Sequence, residues 1–234
     1  MWEILIAAYN SISWNATAGI VFGASISALV SYLLQRNQFR EVRRQRDADR
    51  IEERKAVALN VLTKMMRIAS TLEILQLSIE GAFRRAERDG LKGPPWTFVI
   101  PIANLPGKVH FEPNELTEVM RLDFQLFNDL GPFDDVHNVL LDTFAMYRTD
   151  RNALTENMSA EMKGNLGTTS FTAEEMKRLA PKMAALDTLV VGMIERTTKD
   201  SAEAWQILTR LQVALNKQFN LKLQLERKEP VHQT

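Results

Sequence analysis

The residues best placed to do chemistry are the acids, imidazole and amide of Asp134-Asp135-Val136-His137-Asn138, with Asp142 about one helical turn further on. Asp134 and His137 are three apart, the spacing at which a helix sets a carboxylate and an imidazole on one face as a metal-binding pair. A di-metal bundle needs a second such pair and two further inward carboxylates. The other histidines, His110 and His232, fall in an expected loop and in the tail, so the set is incomplete. The simpler reading is a first helical turn whose acids complement the positive end of the helix dipole. No metal site, cofactor or catalytic residue is nominated from it.

Other patterns lead no further. Arg227 and His232 are five apart, a spacing that resembles the Arg-x4-6-His pair of HEPN ribonucleases. Pro230 falls between them and both lie in the tail, so no role is carried over. There is no nucleophile elbow, no glycine loop that cradles phosphate and no metalloprotease signature. The chain has no cysteine, which removes disulfides, thiolate nucleophiles and zinc sites built on thiolates. Basic and acidic residues balance at 29 each, so no global field draws in nucleic acid. Met65, Met66, Met158, Met183 and Met193 fall mostly on apolar helical faces and read as core.

What remains is the set of elements, and the first stands out. No charge occurs between Glu3 and Arg36, and residues 14–34 are almost wholly apolar or small. A bilayer core of ~30 Å takes about 20 helical residues, so 14–35 reads as a single transmembrane helix after a short extracytoplasmic stretch, 1–13. Trp14 and Tyr32 sit near its ends, where aromatic belts form. No basic residue precedes the run, which argues against a cleaved signal peptide. Gly19, Gly23, Ser27 and Ser31 recur at every fourth position and form a narrow small-residue stripe, suited to close helix packing in the membrane. Arg36, Arg40, Arg43, Arg44 and Arg46 follow, against Glu41 alone, and are expected to meet anionic lipid headgroups. The bias places the C-terminal bulk in the cytoplasm, the protein in the inner (plasma) membrane and the N-terminus outside.

The remainder reads as all-α. Residues 36–55 form a charged juxtamembrane stalk, in which Asp47, Asp49, Glu52 and Glu53 alternate with Arg50, Arg54 and Lys55 and suggest i,i+4 pairs. Residues 56–228 form an up-down bundle of three to five helices, and 229–234 a flexible tail. Ala58, Leu62, Met65, Ala69, Leu72, Ile79 and Phe83 make one apolar face, with Gln76 the polar intruder. Trp96–Ile100 and Lys108–Phe111 suggest a small β-hairpin near 96–111, turning through a type II turn at Leu105-Pro106-Gly107-Lys108. Pro113 opens a helix to about Leu130, Gly131-Pro132 breaks it, and another runs from Phe133 toward Lys163. After a loop at 164–170, Thr172 and Glu175 form a capping box. The last helix is kinked or restarted by Pro181 and is either continuous or capped anew near Asp200 and Glu203.

These features imply a membrane-anchored, non-enzymatic interaction or scaffold protein, homo-oligomeric, with membrane lipids and an unidentified protein as partners and no nucleic acid. The alternative is a small oligomeric effector that permeabilises or remodels the membrane. The stripe supplies a direct test in residues 1–50. Gly19→Leu and Gly23→Leu should each weaken self-association in a membrane two-hybrid assay, because Leu stands where backbones would touch. Val21→Leu should do little. Equal behaviour of all three would reduce the stripe to composition.

Overall fold

The computed structural model describes residues 2–156, 158, 161–163, 166–168 and 171–227, with the side chains at 2, 4–26, 28, 161–163 and 166–168 outside the description. The chain divides into two compact units, residues 1–54 and 55–234. Its helices are α1 (Trp2–Arg88), α2 (Pro95–Phe98), α3 (Pro113–Leu122), α4 (Phe124–Leu130), α5 (Phe133–Thr155) and α6 (Ala173–Phe219). Among the described residues one antiparallel pair, β1 (Glu161–Lys163) and β2 (Leu166–Thr168), lies between α5 and α6, with Met162 opposite Gly167. The chain is thus essentially all-α.

In the first unit, α1 is helical throughout, and every described side chain from Leu29 to Glu53 is exposed. Among the described residues no helix is long and apolar enough to cross a membrane. The expected span at 14–35 lies mostly outside them: within 14–34, only the side chains of Ser27 and of Leu29 to Leu34 are described. Among the described residues, Arg36, Arg40, Arg43, Arg44, Arg46 and Arg50 make no ion pair within the chain.

In the second unit, α1 supplies a core stripe. Ala58, Val61, Leu62, Met65, Ile68, Ala69, Leu72, Leu75, Ile79, Ala82 and Ala86 are buried, at the three-and-four spacing of one helical face. Leu75 takes the core position next to Gln76, whose amide turns outward to Glu80 (2.8 Å). The helix stops in a Schellman arrangement. Gly90 adopts φ +65°, Leu91 N–H reaches Ala86 C=O (2.9 Å), and Gly90 N–H reaches Glu87 C=O (3.1 Å). Glycine has no Cβ to resist that left-handed turn.

The hairpin expected near 96–111 is absent. Pro95, with φ fixed by its ring, opens the helical turn α2 instead, and Trp96 is buried in it. Gly107 lacks the positive φ of a type II turn; among the described residues only Gly90 and Asn220 have one. Val109 to Phe111 is extended, but its partners are helix side chains and not a strand.

Three helix boundaries also differ from expectation. The helix expected from Pro113 to Leu130 breaks at Asp123, whose carboxylate accepts Leu126 N–H (3.0 Å) and so caps α4. α5 ends at Thr155, short of Lys163, and part of the expected 164–170 loop is strand β2. α6 runs on through Pro181 and Asp200 without a new cap, opened by the Thr172–Glu175 box. Leu179, Leu186, Val190, Met193, Ala204, Leu208, Leu211 and Leu215 are buried along it, and Met183 is partly so. Asn220, in the left-handed region, ends it, and Asn216 then clasps both backbone polar groups of Leu223 (2.9 and 3.0 Å).

The buried side chains of the second unit begin at Ala58 and form one cluster. A chain starting at Lys55 should be soluble, with a strongly helical circular dichroism spectrum and a cooperative thermal transition. Met65→Ala, at a fully buried position, should lower its stability by about 2–5 kcal/mol. A mainly β or unfolded spectrum would contradict the bundle.

Candidate functional site

The predicted membrane-packing residues are not brought to a described contact. Gly19 and Gly23 lie within helical α1, but their surroundings are outside the described residues; Ser27 and Ser31 are exposed. Arg36, Arg40, Arg43, Arg44 and Arg46 all lie exposed along the same helix. Tyr32, Gln35, Arg36, Phe39, Arg40 and Arg43 line one shallow, open depression on it.

The polar cluster around Asp134 and His137 is fully placed, and each group is taken up by the fold. Asn138 turns its side-chain amide onto Val109 like a neighbouring strand. Its Oδ1 accepts Val109 N–H (3.1 Å) and its Nδ2 donates to Val109 C=O (2.7 Å). Asp134 accepts Phe111 N–H (3.0 Å) and Asp135 N–H (3.0 Å). His137 is wholly buried, and its Nδ1 sits 3.1 Å from Asn138 Oδ1. That oxygen can only accept, so Nδ1 carries the proton and Nε2 is a bare acceptor, with no hydrogen-bond partner. Burial, opposed by the Asn138 contact, lowers the His137 pKa below 6.5, so the ring is neutral near pH 7. Asp134 and His137 therefore do not converge as ligands. Among the described residues no group of three acids, histidines or cysteines could hold a metal ion.

Of three further buried polar groups, Glu115 and Tyr147 escaped the sequence reading, and Asp200 entered it only as a candidate helix cap. Glu115 is buried in α3, where its carboxylate accepts from Asn60 (2.5 Å), from Lys64 (2.7 Å) and from the Glu112 N–H (2.7 Å). Lys64 also donates to His110 C=O (2.8 Å). The buried Tyr147 hydroxyl shares its proton between Trp96 C=O (3.0 Å) and Val99 C=O (2.6 Å), and burial pushes its pKa up to about 12. Asp200 is buried in mid-helix with Arg196 Nε 3.6 Å away, too far for a hydrogen bond, and burial raises its pKa. One signal pointed to these groups in advance: Glu115 and Asp200 interrupt apolar helical faces. Tyr147 gives no such signal, because a phenol hydroxyl carries no periodic signature.

These groups pin extended backbone, cap helices or sit isolated, and no two of them converge on an open cleft among the described residues. No protein-family model, curated protein or solved structure matches the chain.

Asp200 gives a pH-dependent test. Its folded pKa lies above the unfolded value, so the folded state binds the proton more tightly and loses stability as pH rises through the folded pKa. Asp200→Asn should therefore raise the melting temperature at pH 7, and the gain should shrink as pH falls into the ordinary carboxylate range. A gain independent of pH would remove burial of the charge as the cause.

Proposed function

We propose that the chain is a single-pass membrane protein whose cytoplasmic helical bundle is a non-enzymatic interaction module, held as a homo-oligomer at the inner face of the plasma membrane. The observation that carries this reading is the order of residues along one uninterrupted helix. A charge-free run ends in exposed Leu29, Val30, Tyr32, Leu33 and Leu34, and arginines begin two residues later. Exposed apolar side chains on a helix cost free energy in water and none in lipid. Tyr32 falls where an aromatic belt would form, and the arginines fall on the side that membrane insertion keeps in the cytoplasm.

The homo-oligomer is supported by the small stripe Gly19, Gly23, Ser27 and Ser31. A non-enzymatic role is supported by the structural use of Tyr147, Asn138, Asp134 and Glu115, whose side chains bond backbone groups of the fold. Arg36 and Arg40 follow Leu34 within about 9 Å at 1.5 Å per residue, within reach of anionic headgroups.

Topology tests the reading. A fluorescent or phosphatase reporter fused after Thr234 should behave as cytoplasmic, and the chain should resist carbonate extraction from membranes. Strong periplasmic phosphatase activity, or release by carbonate, would overturn it.

A further inference from the structure

After α6 the chain folds back on itself. Asn220 takes the left-handed conformation, φ +50°, and turns residues 221–227 into a strap that runs antiparallel to the helix just left. Two contacts fix its path. Leu223 lies against Gln212 and Asn216, and Arg227 lies over Trp205, its Cζ 5.4 Å from the ring centroid. Four extended residues span about 13 Å, and about 13 Å also separates Trp205 from the level of Gln212 and Asn216 along α6, so the strap is extended. Its side chains alternate accordingly. Leu221, Leu223 and Leu225 are half-buried, and Lys222, Gln224 and Glu226 are exposed. Leu223 and Leu225 pack against the core.

The strap is seated as a peptide is seated in a groove. Trp205, Gln212 and Asn216 fall within about 40° of one another at 100° per residue, so they form one stripe of α6. Gln212 Nε2 donates to Leu223 C=O (2.6 Å), and Asn216 holds both backbone polar groups of the same residue. Glu73 of α1 marks the far end, where its carboxylate accepts Arg227 Nε (2.8 Å). Clasped backbone with alternate side chains turned inward is the way grooves recognise extended segments. The seat therefore selects leucines two apart with an arginine beyond them, whichever chain supplies them.

The strap's tie to its own α6 is short and strained. Asn220 alone makes the turn, and a residue with a Cβ sits in the left-handed region at a cost that glycine avoids. Among the described residues, the bonded backbone groups of the strap are the Leu221 N–H and the two of Leu223. Short strained hinges at the root of a terminal element favour its exchange between identical chains.

We propose that copies of the chain exchange these straps, residues 221–227 of one copy filling the α6 seat of its neighbour. Each seat then keeps the same contacts, and Asn220 is released from the left-handed turn. The occupant is a second copy because every copy carries the one segment the seat is built to fit. This rests on the homo-oligomer proposed above, whose parallel copies bring every hinge to one level and raise the local concentration of neighbouring straps.

The chain has no cysteine, so a pair can be introduced without background. Full-length copies carrying Thr209→Cys or Gln224→Cys, both at exposed positions, are coexpressed under different tags and treated with a short bismaleimide in nanodiscs. Thr209 lies on the seat between Trp205 and Gln212, so crosslinks between copies are expected. Leu223→Asp/Leu225→Asp in the Gln224→Cys copy should reduce them at least tenfold. Asn220→Gly in both copies eases the closed turn and should reduce them at least threefold. Asn220→Val, whose branched side chain resists that turn, should raise them by a similar factor. Glu73→Arg in the Thr209→Cys copy should weaken the crosslink, and Arg227→Glu in the Gln224→Cys copy should restore it. Glu73, Asn220 and Arg227 lie outside the core, so the helical spectrum should hold. An oligomer with no crosslink between copies would overturn exchange and leave the oligomer standing. Crosslinks that survive the aspartates, or that ignore both residue 220 and the charge reversal, would also overturn it. A monomer by mass photometry would remove the oligomer itself, and exchange with it.

Discussion

An extended segment with no partner strand must still find hydrogen bonds for its backbone, and the second unit is arranged around that requirement. Residues 99–112 connect α2 to α3 without entering a sheet, yet Val99, Val109 and Phe111 are buried. Burying those amides and carbonyls unpaired would cost about 1–3 kcal/mol each. The helices answer with side chains aimed at specific backbone atoms: Tyr147 at Val99, Asn138 at Val109, Lys64 at His110 and Asp134 at Phe111. Polar residues stand in the interior because of this strap. Acids and an imidazole on a first helical turn suggest ligands, and here Asp134 anchors a neighbouring segment while His137 bonds only to Asn138. Asn138, with donor and acceptor on one planar amide, imitates a strand's edge more closely than any other side chain.

The same requirement separates what could be read in the sequence from what could not. Periodic apolar faces on α1, α5 and α6 were legible because burial of one side of a helix repeats every three or four residues, as Leu62, Met65, Ala69 and Leu72 show. The cap of α6 was legible because Thr172 and Glu175 satisfy two amides within four residues of chain. The hairpin was misread because Trp96–Ile100 has the composition of a strand, and composition does not say who the partner is. Its hydrogen bonds go to residues about 50 positions away in α5, a distance over which no local pattern speaks. The break at Asp123 was available locally, since an aspartate followed by a hydrophobic run favours an N-cap. It was hidden by the amphipathic pattern running through it.

The candidate site divides the same way. Types and order along α1 gave the arginines and the small stripe, since charge-free length and its flanks are linear properties of a sequence. Their sidedness needed the helix to be continuous, because one break between Arg36 and Arg54 would rotate the later arginines away from the earlier ones. Here α1 has neither glycine nor proline between Gly23 and Gly81, so it has none of the usual kink points.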